Sequence, residues 1–282
     1  MKSLIKQQTK HGKSCISKKE DIVLVDQADV EIIKIRYMSM MLDISIGQHG
    51  GLCTLDFMNH LDCNVIGQDH LLKRSILVLK AWLSYESSLL GSQLACMATY
   101  GMYTLALFVF NNFSKVSPIT TEMEFVRKFF EVLGTFDWDK YMITIFGPVR
   151  IQNFYDRLRD ECNFDMNLLA LNERIHYFGF KTQQSSLEAM MFTPEHIQPL
   201  IDKYAALRLL SYSQGPDAEA ADLSLKFKKS MNLKFINIVD PCFSKNNLGK
   251  SISLFNSYRL KEALKMQSES LAKVTAKAHR YI

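Results

Sequence analysis

Asp43 stands at the end of an apolar alternating run in "LDISIGQHGG" (residues 42–51), just ahead of a glycine-rich turn. A carboxylate at a strand-to-turn junction can act as one ligand of a hard divalent cation, or simply face water. A metal site needs partners that converge, so the other chemically able residues matter. Gly12-Lys13-Ser14 has the ending of a phosphate loop, but Gln7 occupies the position where that loop requires its first glycine. Cys15, Cys53, Cys63, Cys96, Cys162 and Cys242 include no CxxC pair and no regular spacing. That pattern argues for reduced thiols in an intracellular protein and against a zinc site. His49, His60 and His70 show no ligand spacing and read as structural or exposed.

The chain has 282 residues, 48% hydrophobic and 22% charged, which is the composition of a folded globular protein. Its 34 Lys+Arg against 29 Asp+Glu leave a net charge of +5, which permits a polyanionic partner without requiring one. The start "MKSLIKQQTKHGKSCISKKED" is basic and polar, with no apolar stretch of signal-peptide length. "YGMYTLALFVF" (100–110) is too short to span a bilayer and suits a buried helix. The expectation is a soluble protein with no membrane partner, cytoplasmic or nuclear.

Residues 1–20 read as a basic flexible arm. "DIVLVDQADVEIIKIRYMSMMLDISI" (21–46) is rich in Ile and Val and predicts two or three strands of a sheet with one covered face. Helical spacing runs from Leu71 through Trp82, with Gly91 as a stop. A nearly all-apolar helix follows, then an amphipathic one over 121–136 that ends near Gly134. "DWDKYMITIFGPV" predicts an extended segment closed by Gly147-Pro148, and Thr193-Pro194-Glu195 predicts a helix start. "SYSQGPDAEAADLS" (211–224) reads as an exposed loop. A strand, a turn opened by Asp240-Pro241 and a closing helix complete the chain.

Six stretches, in order, resemble the non-canonical poly(A) and terminal uridylyl polymerases that carry a poly(A) polymerase/oligoadenylate synthetase substrate-binding domain. They are "LDISIGQHGGLCTLDF", "GQDHLLKRSILVLKAW", "YESSLLG", "ATYGMYTLALFVF", "FDWDKYMITIFGPV" and "NIVDPCFSKNNLGKSIS". The resemblance implies an α+β fold. Residues 21–60 would be the remnant of a DNA polymerase beta-like nucleotidyltransferase palm, and 61–282 a mainly helical substrate-binding domain. In that family two magnesium or manganese ions, held by three carboxylates, activate an RNA 3′ hydroxyl and stabilise the leaving pyrophosphate. Two of the carboxylates form an Asp-x-Asp pair after a Gly-Ser turn. Asp43 matches the third, as catalytic residue and metal ligand. No Gly-Ser followed by Asp-x-Asp occurs before residue 43. Asp26 and Asp29 are too widely spaced to project from one strand face, and too near Asp43 for the elements that normally intervene.

By the same resemblance, Lys80 matches the lysine that reaches the triphosphate, though a surface lysine on an amphipathic helix looks the same. Ser84 stands where some relatives carry another lysine. Thr99-Tyr100 matches a hydroxyl that bonds a phosphate and a ring that stacks on the base; the plain alternative is an aromatic of a buried helix. Thr54 lies where relatives place an asparagine near the ribose, and Gly47 replaces another. Asn246 and Asn247 match a base-recognition loop, with Gly249 permitting a close backbone turn; a structural Asp-Pro turn would read equally well. Lys245, Lys250 and Arg259 add charge for RNA phosphates. The implied partners are a nucleoside triphosphate and an RNA 3′ end. The expectation is a nucleotidyltransferase-family protein that is inactive as this chain. The alternatives are a non-catalytic nucleotide- or RNA-binding scaffold and a truncated chain.

Overall fold

The computed structural model describes residues 22–25, 32–37, 40–45, 49–159, 165–213 and 231–278. The arm expected over 1–20, Asp26, Asp29, Gly47 and residues 214–224 of the expected loop lie outside the described residues. The chain divides into two compact units: residues 1–53 with 207–219, and residues 54–206 with 220–282.

The first unit carries a three-stranded antiparallel sheet, β1 (Ile22–Val25), β2 (Ile32–Tyr37) and β3 (Met40–Ile44), in sequence order. Alternation in β2 sorts its faces: Ile33 and Ile35 are buried, whereas Arg36 is exposed. Register places Lys34 opposite Asp43. Of the glycine-rich stretch after β3, the residues from His49 onward form helix α1 (His49–His60).

The second unit is mainly helical. After a π-helical stretch (Leu61–Ile66), α2 (Leu71–Ala81) buries Leu71, Leu72, Ile76 and Leu79, the stripe its sequence spacing predicts. Helix α3 (Thr99–Phe113) is buried almost from end to end, with Leu105 to Phe110 sealed from water. Helix α4 (Glu122–Gly134) begins at a capping box between Thr121 and Glu124 and lays Phe125, Phe129 and Phe130 on the core. Phe125 stacks on Phe110 at 4.5 Å, and Phe130 meets Trp82 edge-on at 4.7 Å.

The predicted extended segment is a hairpin, β4 (Tyr141–Thr144) and β5 (Gly147–Arg150), antiparallel. Gly147-Pro148 lies inside its second strand; the turn is made by Ile145-Phe146, tied by the Thr144 hydroxyl accepting from the N–H groups of Phe146 and Gly147. Helices α5 (Ile151–Arg159), α6 (Met166–Phe178), α7 (Gln183–Glu188) and α8 (Pro194–Ser213) follow. Asn111 and Asn112, the first polar residues after the apolar run of α3, both donate to the Ile145 carbonyl. Asn112 also accepts from the fully buried Arg174, whose guanidinium donates to Ser186 and faces the rings of Phe178 and Phe180.

A short hairpin, β6 (Val239–Asp240) and β7 (Phe243–Asn247), leads to the closing helix α9 (Leu254–Ala278). Helix α9 runs close against α4. A Cβ on Gly134 would come 2.7 Å from Ser268 Cβ and 2.8 Å from the Leu264 carbonyl oxygen. Only glycine allows the helices this near. Gly134→Ala should therefore destabilise the protein by about 1–3 kcal/mol through overpacking, read as a lowered thermal midpoint.

Candidate functional site

The chemically richest cluster of the second unit is centred on Asp240, which is 1% exposed. Its Oδ1 accepts from the Tyr100 hydroxyl at 2.9 Å and from the Cys242 N–H at 3.0 Å. Its Oδ2 accepts from the Asn246 amide at 2.9 Å. A buried carboxylate is costly unless such donors replace its water, so these contacts fix the relative placement of three chain segments. The first turn of α3 and the β6–β7 hairpin, 140 residues apart, are thereby joined side chain to side chain. Burial, followed by the neighbouring Asp240 carboxylate, pushes the Tyr100 phenol well above its ordinary pKa, so it remains a donor.

The hairpin is built by Asn247. Its side chain is 2% exposed and wholly spent inside the protein. The Oδ1 accepts from the N–H groups of Ile238 and Gly249, and the Nδ2 donates to the Asn232 carbonyl and to Asn237 Oδ1. Gly249 lets the chain fold back over Ile236: a Cβ there would lie 2.2 Å from the Ile236 carbonyl oxygen. The hairpin is docked on the rest of the unit where Ile238 bridges Ile143 of β4. Of the two asparagines, then, Asn246 faces the Asp240 cluster while Asn247 holds the backbone.

The loop that delivers Thr99 and Tyr100 is gripped by the start of α9. Asn256 Nδ2 donates to the carbonyls of Leu94 and Ala95, the Ser253 N–H donates to Ala95, and the Ser251 hydroxyl donates to Cys96. Arg259 reaches the Ser87 carbonyl at 3.2 Å. Helix α3 then begins at Thr99 after Ala98, whose side chain offers no cap to the first N–H groups. Half-buried Thr99 and Tyr100 thus sit at a helix N-terminus, where the dipole favours an anion. Lys80 is exposed in the last turn of α2, and Thr54 is half-buried in α1.

A cleft of about 270 Å³ on the hairpin's flank is lined by Asp165, Asp202 and Asp240, with Asn167 and Gln198. Asp165 caps α6 by accepting from the Asn167 N–H at 2.8 Å, and Asp202 accepts from Gln198 at 2.7 Å. Three carboxylates make it a poor home for phosphates.

Asp43 belongs to the other unit. It is exposed on β3, with Lys34 Nζ 3.7 Å from its Oδ2 across the strand pair. Among the described residues, the groups close enough to share a metal ion are Asp62, Cys63 and His70, and Asp43 is in no such group. One exposed carboxylate facing an ammonium does not fit a two-magnesium site, which needs several converging oxygens. Sequence reasoning took Asp240 as a turn residue only; the signal for more was its position inside the segment that resembles the base-recognition loop.

Tyr100→Phe should cost about 1–3 kcal/mol, because it deprives a buried carboxylate of a donor. The phenol's raised pKa sets the sign of the pH effect. Its contribution is complete below the ordinary tyrosine value of 10.0 and is lost as pH climbs through the folded-state value. The stability gap between wild type and variant, from urea unfolding, should be flat near neutrality and shrink only in alkali.

Among solved structures, that of a cytoplasmic RNA terminal U-transferase is similar at 15% identity and a TM-score of 0.39, over 89% of this chain and 67% of the other. A comparison with curated proteins finds no match. The family model of the PAP/OAS1 substrate-binding domain matches residues 66–213 and 218–282, which takes in α2, α3, the Asp240 cluster and α9. With that match over most of its length, the chain belongs to the PAP/OAS1 substrate-binding domain family.

Proposed function

We propose that the second unit is the nucleotide-binding part of an RNA nucleotidyltransferase of the 3′-end-adding type. The observation that carries this reading is the Tyr100–Asp240 hydrogen bond, which unites the Thr99–Tyr100 helix start with the Asp240–Asn246 hairpin. In this reading the fixed ring of Tyr100 stacks on the base, a contact worth about 1–3 kcal/mol. The Thr99 hydroxyl and the uncapped start of α3 receive a phosphate, and the Lys80 ammonium reaches the triphosphate. Asn246 gives one N–H to Asp240 and accepts from Lys250 Nζ at 3.1 Å, which leaves its second N–H for a base carbonyl. Asn247 keeps the hairpin in shape, and Thr54 borders the ribose.

The acceptor strand would follow α9. An open groove of about 600 Å³ there is lined by Leu89, Tyr258, Arg259, Lys261, Glu262 and Met266, with Tyr258 63% exposed and the Lys261 ammonium 2.6 Å from Asp139 Oδ1. An exposed aromatic ring beside the Arg259 guanidinium suits single-stranded RNA, the Lys261 ammonium exchanging Asp139 for a phosphate.

Asp43, exposed and paired with Lys34, keeps the third-carboxylate position by resemblance only and by itself holds no metal. No Gly-Ser turn with an Asp-x-Asp pair precedes Asp43 in these 282 residues, so the chain alone is expected to bind nucleotide without transferring it. An RNA-tailing assay with ATP or UTP checks this: metal-dependent extension abolished by Asp43→Ala overturns the inactivity. Nucleotide binding is tested by titrating ATP and UTP into wild type and Lys80→Ala. The variant should bind roughly ten- to a hundredfold more weakly, as expected for loss of one charge-assisted phosphate contact of roughly 1.5–3 kcal/mol. Equal affinities remove Lys80 from the site. RNA affinity should fall with salt, and Arg259→Ala should flatten that slope by about one phosphate contact.

A further inference from the structure

We infer that Asp62, Cys63 and His70 form a binding site for zinc, or for another divalent ion of similar softness, separate from any magnesium chemistry and independent of the nucleotide reading. The ligand atoms of all three lie within 4.8 Å of one another. His70 Nδ1 is 2.7 Å from Asp62 Oδ2 and 3.9 Å from Cys63 Sγ. Both neighbours therefore approach the same ring nitrogen. A nucleophile–base–acid relay needs them on opposite nitrogens, so the arrangement is not a catalytic triad. Thiolate, imidazole and carboxylate converging on one point are instead a zinc donor set. Tetrahedral zinc, with bonds of about 2.0–2.3 Å, spaces such ligands roughly 3.3–3.6 Å apart. The observed separations bracket that range, and a small rotation of the exposed His70 ring closes the difference.

The backbone explains why the three meet. Residues 67–70 all have positive φ, between 51° and 64°, so the chain makes a left-handed turn that brings His70 back over the π-helical stretch. Asp62 is fully buried, and its Oδ1 is held by the Lys73 N–H at 3.2 Å, which leaves Oδ2 as the oxygen aimed at His70. The Lys73 ammonium lies 3.2 Å from Oδ2 and 2.7 Å from Asn59 Oδ1. It ends a flexible stem whose side chain is 47% exposed, and it swings into water when a dication takes its place. On binding, zinc takes the Nδ1 lone pair of neutral His70, whose one ring proton then resides on Nε2, and displaces the thiol proton of Cys63 to solvent; a water completes the tetrahedron. Magnesium, which demands six oxygens, is not accepted.

Cobalt titration of metal-stripped protein tests the site. Cys15→Ser and Cys162→Ser are present in every sample, because Cys53, Cys96 and Cys242 are already buried. A thiolate-to-cobalt charge-transfer band should appear, saturate at one equivalent and vanish when one equivalent of zinc is added, while magnesium leaves it unchanged. Cys63→Ser should abolish the band. His70→Asn, chosen because asparagine tolerates the left-handed backbone, should weaken binding at least tenfold. As a readout that needs no further variant, zinc should slow alkylation of Cys63, measured by mass spectrometry of its peptide. A missing band, a band that survives Cys63→Ser, or alkylation indifferent to zinc overturns the proposal.

Discussion

The Asp240 carboxylate is the constraint around which the second unit is arranged. Sealing an ionised group from water is repaid only when donors are fixed around it, and here they come from Tyr100, Asn246 and the Cys242 N–H. Each donor also restricts its own segment. Tyr100 anchors the first turn of α3, Asn246 ties β7 to the carboxylate, and the Cys242 N–H closes the Asp240-Pro241 turn. Moving any of these would leave a buried charge short of a partner. The apolar core supplies the larger share of stability, but hydrophobic contact has no direction and would accept small rotations that this carboxylate does not.

Around that centre, the backbone approaches are set by absences of side chain. Gly249 passes over Ile236 and Gly134 passes under α9 at distances no Cβ could share. Between them, Asn247 and Asn256 satisfy carbonyls and N–H groups of irregular chain that no strand or helix pairs. The same device closes α3, where Asn111 and Asn112 take the Ile145 carbonyl in the β4–β5 turn. Buried asparagines thus do in this fold what sheet ladders do elsewhere: they make loops as definite as strands.

This division of labour explains what the sequence discloses. Helix α2, the buried run of α3 and amphipathic α4 are legible because apolar periodicity is a local property. The three strands before residue 45 are legible for the same reason, and the Asp-Pro turn from the local chemistry of its two residues. The β4–β5 turn was misplaced, because Gly147-Pro148 looks like a turn while the Thr144 hydroxyl makes one two residues earlier. Helix α1 was missed, since "GQHGG" has the composition of a loop and His49 onward is nevertheless helical. Asn246 and Asn247 are indistinguishable in sequence, yet one faces the Asp240 cluster and the other is consumed by backbone. Alternation on a five-residue strand decides which. The grouping of Asp62, Cys63 and His70 has no motif; it depends on four successive positive-φ residues, Gly67 to His70, a run longer than single-residue preferences announce.

Asp43 and Asp62 show why carboxylates cannot be assigned singly. Asp43 is exposed and its cross-strand pairing with Lys34 is a surface ion pair, of a kind worth about 0–1 kcal/mol. Such a pair neither builds a site nor prevents one, because a stronger cation would displace the ammonium at little cost. The role of Asp43 therefore rests on whichever oxygens are brought beside it. Asp62 is the converse. It is fully buried, its oxygens are held by Lys73 and His70, and a thiol stands 3.9 Å from the same imidazole nitrogen. The desolvation of Asp62 is already borne by the fold, so a dication arriving there gains attraction in a low-dielectric setting once Lys73 swings away and the His70 ring turns. Convergence, more than the identity of any one acid, separates a residue that resembles a ligand from one placed to be one.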